Sequence, residues 1–290
     1  MLRSRFIVDS STTLCGLLGD PVAQSPSPGM HNSGFRSINL NFIYLSFRVT
    51  EKELKNAIEG LKTLGARGFN VTIPHKETAL KYVDRIDSIS TDIGAINTVV
   101  NDDGELFGVN TDVEGFINPL KDNDIPLKNK KCLILGAGGA ARSCIVGLVH
   151  EDCTDFVILN RHPERANKMV SYLKQKIDFD VNICMMNRSN LDRNISDSDL
   201  VVNTTPIGMY PHVGISPIPK NLLRDDLLVY DIVYKPVKTK LIEYAEIAGA
   251  KVIHGYEMLV SQAAGSFSLW TGSKAPMGVM RRTALQILGV

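Results

Sequence analysis

The sequence is poor in several features that would narrow its class at once. Only five of its 290 residues are cysteines (Cys15, Cys132, Cys144, Cys153 and Cys184), an odd number scattered without a C-x-x-C pair or a histidine cluster at zinc-ligand spacing. A disulfide scaffold and a structural metal site are therefore not expected, and reduced thiols are. No apolar run approaches the roughly 18 to 20 residues of a membrane-spanning helix. The opening segment MLRSRFIVDSSTT carries Arg3 and Arg5 but only a three-residue apolar stretch before Asp9, too little for a signal peptide. Charge of one sign is also missing. With 32 Lys and Arg against 31 Asp and Glu the net charge is +1, and no block of five like charges occurs. A nucleic-acid surface is not expected, and any anion site must be local. The expectation is a cytoplasmic protein acting on small molecules.

What is present is ordinary globular composition, 44% hydrophobic and 22% charged with 23 Gly and 13 Pro. At this length two α/β domains are expected rather than one large core. From Thr13 onward, TLCGLLG, a helical stretch after Pro28, NFIYLSFRV, EKELKNAIEGLKTLG and RGFNVTI alternate as strand, helix, strand, helix, strand, the pattern of a mostly parallel sheet. Leu54, Ala57, Ile58, Leu61 and Leu64 form one apolar stripe, with Thr50 and Glu53 as a capping box and Gly65 as the stop. A second series starts near Lys131: CLILG, a helix over 139–150, DFVILN, a helix from Pro163 to about Lys176, a strand near Val181, then DLVVN, LLVYDIV and KVIHG. Asp112 to Lys130 reads as a linking helix and loop. The last stretch, from MLVSQAAGSFSLWTG onward, is helical in pattern and is expected to return to the first domain.

Gly136, Gly138 and Ala141 in LILGAGGAARS fit G-x-G-x-x-A between an apolar strand and a helix. Small residues are needed there because the turn is tight and the backbone must approach a pyrophosphate at a helix N-terminus. A site for NAD places Asp or Glu at the end of the next strand to hold the ribose hydroxyls; this chain has Asn160, Arg161, His162 and Arg165. Cations there favour a 2′-phosphate, the plainer alternative being two solvated arginines at a helix start.

Polar residues cluster where strand ends of the first domain should converge: Ser25 and Ser27 in GDPVAQSPSPGMHN, Thr72 and Lys76 in NVTIPHK, Asn97 in GAINT, and Asn110, Thr111 and Asp112 in VNTD. Ser27 reads as an N-cap with Pro28 at the first helical position, a role compatible with holding a carboxylate. Lys76 reads as opening a helix after Pro74, a poor place for a cation by the dipole argument. Taken alone it is a surface lysine; paired with Asp112 it becomes a candidate for acid-base chemistry. His75 reads as shape-filling, and Tyr234 and Gln262, by themselves, as packing residues. No nucleophile, base and orienter are arranged as in a hydrolase.

Taken together, GDPVAQSPSP, FNVTIPHK, GAINT, VNTD, LGAGGAAR, NRHPER, NTTPIGM, DIVYKP and GYEMLVSQAAGSFSLWTG resemble the shikimate/quinate dehydrogenase family, in the same order and over nearly the whole chain. The resemblance implies an α/β substrate-binding domain over 1–111, completed by helices from about 257 to 290, and a Rossmann domain over 112–256, with a cleft between them. It implies reversible NADPH-dependent reduction of 3-dehydroshikimate to shikimate, in chorismate and aromatic amino acid biosynthesis. By motif position it implies Lys76 and Asp112 as the catalytic pair. Ser25, Ser27 and Tyr234 fall to the substrate carboxylate, and Thr72, Asn97 and Gln262 to its hydroxyls. The NADP contacts implied are Gly136, Ala137, Gly138, Gly139, Ala140, Asn160, Arg161, Arg165, Ile232 and Gly255, with no metal. His162 stands where the family usually has Thr, and the second serine motif reads S-P-S-P where S-L-S-P is more usual. Relaxed quinate and NAD use, or NADP(H) sensing without catalysis, are the rival expectations; the complete Ser, Ser, Lys, Asp set opposes the second. A monomer and a homodimer are both compatible with the sequence.

Overall fold

A computed structural model describes residues 8–290; the segment with Arg3 and Arg5, on which the signal-peptide reading rests, lies outside the described residues. The chain divides into two compact units. One runs to Thr111 and resumes at Gln262–Val290, and the other is Asp112–Ser261.

The first unit contains β1 (Thr13–Gly19), α1 (Ser27–Ser37), β2 (Phe42–Arg48), α2 (Leu54–Thr63), β3 (Gly68–Val71), β4 (Arg85–Ile86), α3 (Ser88–Ile93), β5 (Thr98–Asp102) and β6 (Glu105–Val109). Its sheet has the order β2-β1-β3-β5-β6-β4. β1 pairs parallel with β2 and β3, whereas β5 runs antiparallel to both β3 and β6. The reversal between β5 and β6 is made by a tight turn. Asp103 (φ 48°) and Gly104 (φ 94°) form a two-residue turn between apolar runs, the backbone shape that matches strand twist in a hairpin. Leu54, Ile58 and Leu61 of α2 are buried, but Leu64 is 76% exposed, because the helix ends at Thr63 and Gly65 (φ 69°) turns the chain away. Glu53 takes the N-cap position and accepts from the Thr50 N–H and hydroxyl, so only half of a capping box forms.

The second unit contains α4 (Asp112–Asp122), β7 (Lys131–Leu135), α5 (Gly139–His150), β8 (Asp155–Asn160), α6 (Pro163–Leu173), β9 (Asp180–Met185), α7 (Arg188–Ile195), β10 (Leu200–Asn203), β11 (Leu228–Asp231), α8 (Lys240–Ile247) and β12 (Lys251–His254). Helices α7 and α8 escape a reading of this stretch as strands alone. The sheet order is β12-β11-β10-β7-β8-β9, parallel throughout. A parallel sheet is covered on both faces, and so CLIL, FVIL and LVV read as unbroken apolar runs and are buried.

The division between units falls inside α9 (Gly255–Thr271), which is followed by α10 (Met277–Leu288). Beyond Gln262 these helices complete the first unit's core. Phe267 and Trp270 surround His31, which stacks on Tyr44 at 4.4 Å and 14°. Trp270 Nε1 donates to the Val99 carbonyl at 3.0 Å. Gly68 permits this approach, since a Cβ there would strike both groups.

Candidate active site

In the first unit strand direction gathers the polar residues. β1 and β3 are parallel, so their carboxyl ends, at Gly19 and Val71, share one edge. β5 is antiparallel to β3, which brings its beginning, preceded by Asn97, to that same edge; β6 reverses again and delivers Asn110 and Thr111 there. Asn97 is 3% exposed. Its Oδ1 accepts from the Thr111 N–H at 2.8 Å and the Thr98 hydroxyl at 2.9 Å, and its Nδ2 faces Gln262 Oε1 at 3.4 Å. Asn97 and Gln262, 165 positions apart, are therefore brought together.

Thr72 directly follows β3 and its N–H donates to the Leu18 carbonyl at 2.9 Å, fixing the loop that carries Lys76. Lys76 does not open an α-helix: it is half-buried in a turn before the 3₁₀ segment Thr78–Tyr82. The reason is local, because the His75 N–H is spent on the Thr72 carbonyl and the Lys76 carbonyl accepts from Ile96 N–H at 2.9 Å. The dipole argument against a cation does not apply to such a turn. The second of these bonds ties the lysine's loop to the residue preceding Asn97. His75 is buried with Nε2 at 2.7 Å from the Val49 carbonyl, so that nitrogen carries the proton and the ring holds the loop down.

Ser27 is the first residue of α1 rather than its cap; Pro26 occupies the N-cap position without a side-chain bond. The hydroxyl of half-buried Ser25 instead accepts from the Ser27 N–H at 3.3 Å. A proline with fixed φ can start a helix but offers no capping oxygen. Asp112, 9% exposed, begins α4 in the second unit.

Within the second unit β7 leads through Gly136 (φ 105°) into α5. A Cβ at Gly136 would lie 2.7 Å from Thr204 Oγ1, whereas one at Gly138 or Gly139 would meet nothing within 4 Å. The first glycine serves the turn, and the other two leave an open approach to main-chain N–H groups. Gly138 is the N-cap of α5 and no side chain caps it. An uncapped helix start with open space before it suits a pyrophosphate, and Ala137 and Ala140 add no bulk. At the end of β8, Asn160 Nδ2 donates to the His162 carbonyl at 2.8 Å, and Arg161 and Arg165 are exposed. The nearby carboxylate, Glu164, faces His162 Nδ1 at 3.2 Å. The donor set therefore fits the 2′-phosphate of NADP, with two guanidinium groups able to bind it.

At the end of β11, Ile232 approaches Gly255 so closely that a Cβ on the glycine would lie 2.5 Å from the isoleucine's main-chain carbon. Tyr234 is half-buried, and burial raises its phenol pKa. Asp231, which sequence reasoning passed over, accepts from Thr239 Oγ1, Asn203 Nδ2 and Val233 N–H, while burial pushes its carboxyl up to about 6. Its signal was a lone acid closing the run LLVY. Burial also raises the thiols of Cys15, Cys132, Cys144 and Cys153, which disfavours thiolate nucleophiles there. Among the described residues no helix is long and apolar enough to cross a membrane.

Comparison with known proteins agrees along the chain. Residues 17–99 match the family model for the shikimate dehydrogenase substrate binding domain, 120–210 that for shikimate / quinate 5-dehydrogenase, and 255–285 that for the shikimate 5'-dehydrogenase C-terminal domain. The shikimate dehydrogenase (NADP(+)) of Methanopyrus kandleri is 42% identical over 283 residues, covering 97% of this chain and 98% of that protein. The crystal structure of shikimate 5-dehydrogenase from Listeria monocytogenes, in complex with shikimate and NAD, has a TM-score of 0.90 at 35% identity, covering 95% and 97% of the two chains. A shikimate dehydrogenase crystallised with NADP+ also has a TM-score of 0.90, at 36% identity and 98% coverage of each chain. With full-length identity at this level and a model match in each part of the chain, the protein belongs to the shikimate/quinate dehydrogenase family.

Proposed function

We propose that the chain catalyses the reversible NADPH-dependent reduction of 3-dehydroshikimate to shikimate, a cytoplasmic step toward chorismate and the aromatic amino acids. The observation that carries this reading is the 42% identity to an NADP-dependent shikimate dehydrogenase over 97% of the chain. The donor set at α5 and after β8 supports it. The unit ending at Thr111 is the substrate-binding domain, completed by the C-terminal helices, and Asp112 starts the NADP domain.

Ser25, Ser27 and Tyr234 bind the substrate carboxylate. Thr72, Asn97 and Gln262 bind its hydroxyls. Gly136 to Ala140, Ile232 and Gly255 receive the dinucleotide, and Asn160, Arg161 and Arg165 bind its 2′-phosphate end. When bound, NADP(H) supplies or accepts the hydride. Lys76 hydrogen-bonds the reacting oxygen, gives it a proton during reduction and takes one back during oxidation. Asp112 orients that ammonium and accepts from a neighbouring hydroxyl. The test is the initial rate of NADP⁺ and NAD⁺ reduction with shikimate and with quinate. Shikimate with NADP⁺ is expected to be the best pair by kcat/KM. Quinate with NAD⁺ as the best pair, a use within reach of the family, would reassign the substrate, and no reduction with any pair would overturn the reading.

A further inference from the structure

Beneath Asn97 and Gln262 lies a seam of polar side chains that the proposed chemistry does not use. Asn70, on β3, is 7% exposed, and its carboxamide is engaged at both ends. Tyr44 Oη donates to Oδ1 at 2.7 Å, and Nδ2 lies 3.0 Å from each of three acceptors: the Asn97 main-chain carbonyl, Thr98 Oγ1 and Ser266 Oγ. An apolar residue here would leave the Tyr44 hydroxyl without this acceptor, so the amide serves the core as well as whatever its partners do.

The hydrogen-bond directions set what those partners do. The Thr111 main-chain N–H can only donate, and it meets Asn97 Oδ1 at 2.8 Å; that oxygen must point inward. Thr98 Oγ1 adds its proton to the same oxygen at 2.9 Å while receiving one from Asn70. Asn97 Nδ2 is thereby turned toward two acceptors, Thr111 Oγ1 at 3.0 Å and Gln262 Oε1 at 3.4 Å, and the second contact sets Oε1 of Gln262 toward Asn97 and its Nε2 away from it. Ser266, one turn beyond Gln262 on α9, donates to the Gln262 main-chain carbonyl at 3.3 Å and receives from Asn70. One buried amide thus touches both the start of the strand that Asn97 precedes and the helix that carries Gln262.

We infer that Asn70, acting with Thr98, is a positioning residue that fixes the Asn97 carboxamide with an N–H toward Gln262 Oε1, and thereby the Nε2 end of Gln262 toward the ligand, so that this part of the site selects an oxygen lone pair on a hydroxylated ring. The inference rests on the proposed function for the identity of the ligand. Neither residue touches substrate; each acts by denying Asn97 its flipped rotation.

Thr98→Val keeps the side-chain shape and removes the proton given to Asn97. The expected result is a shikimate KM raised on the order of 10-fold, with kcat within about threefold and the KM for NADP⁺ within about twofold of wild type. Thr98→Ser, which restores the hydroxyl, is expected to return the shikimate KM to within about twofold. In an Asn97→Ala background Thr98→Val should add less than about twofold, since its target is gone. Should Thr98→Val fail to fold, Tyr44→Phe removes the donor to Asn70 from the far end while keeping the stacked ring, and the same cycle applies. An unchanged shikimate KM in a folded variant, or effects that multiply fully in the double variant, overturns the inference. Wild-type protein inert toward shikimate with NADP⁺ overturns the functional reading and this inference together; an active wild type with a null cycle overturns only the inference.

Discussion

The two sheets are of equal size, six strands each, and differ in what they bury. The all-parallel sheet of the second unit is apolar through its centre, and its candidate ligand groups are main-chain amides and side chains in loops at the carboxyl ends of strands. The mixed sheet of the first unit buries Asn70, Asn97, Thr98 and Thr111 within or beside its strands. The difference follows from direction. A parallel sheet offers a ligand only the loops after its strands, whereas reversing β5 lets a strand's beginning and interior serve the same edge. Recognition through the backbone tolerates many sequences around a few glycines; recognition through a buried side-chain seam does not.

The largest expected effect tests whether the first unit carries the chemistry. Lys76→Ala should lower kcat by about 10² to 10⁴-fold while shifting the shikimate KM far less, because the proposed interaction strengthens as charge develops on the oxygen. Steady-state rates for a variant retaining more than about a tenth of wild-type kcat would remove Lys76 from that role.

Opposite pH responses would sharpen the contrast. His31, buried among aromatic rings in the first unit, is pulled from 6.5 to about 3 by burial, so its contribution to stability is present above about pH 6.5 and is lost as pH falls toward 3. Asp231, in the second unit, is pushed from 3.8 to about 6; its contribution is present below 3.8 and is lost as pH rises through about 6. Between pH 4 and 7 each amounts to about 3 kcal/mol. Urea unfolding at these two pH values should show that His31→Phe relieves a loss on the acid side and Asp231→Asn relieves one on the neutral side. Shifts of the same sign would break the comparison.

Cofactor choice tests the second unit. Arg161→Ala and Arg165→Ala should each weaken kcat/KM for NADP by about 10 to 150-fold, nearer the lower figure at these exposed positions and at high salt, and leave NAD use nearly unchanged. Equal small effects on both cofactors would mean two solvated arginines. The smallest effect concerns the turn between β5 and β6 of the first sheet. Neither Gly104 nor Gly60 has an atom within 4 Å of an added Cβ, but Gly104 has φ of 94° and Gly60 lies within α2. Gly104→Ala should cost about 1 kcal/mol by denaturant unfolding, and Gly60→Ala should stabilise by about 0.5 to 1 kcal/mol.

Much of the candidate site was legible before any coordinates. The glycines before α5 and the arginines after β8 lie in motifs whose meaning depends on a few neighbouring residues, and a parallel βαβ run leaves little choice of topology. Lys76 was legible as a candidate but not its setting, because a helix start and a helix-like turn share the same residues after a proline. Asn70 was invisible: a single asparagine in a strand carries no periodic signal, and its partners Tyr44 and Ser266 lie 26 positions before and 196 after it.

By itself the sequence determined the alternation of strands and helices, the apolar centre of the second sheet, the dinucleotide turn and the residue types available for acid-base and carboxylate chemistry, all consequences of local periodicity and local sterics. Only the tertiary structure decided that β5 runs antiparallel to β3, that α9 returns Gln262 to Asn97, and that the Asn97 amide turns its oxygen to the Thr111 N–H and its nitrogen to Thr111 Oγ1 and Gln262 Oε1. Those outcomes depend on strand pairing and on hydrogen-bond partners far apart in the chain, where direction and distance, rather than residue type, set the chemistry.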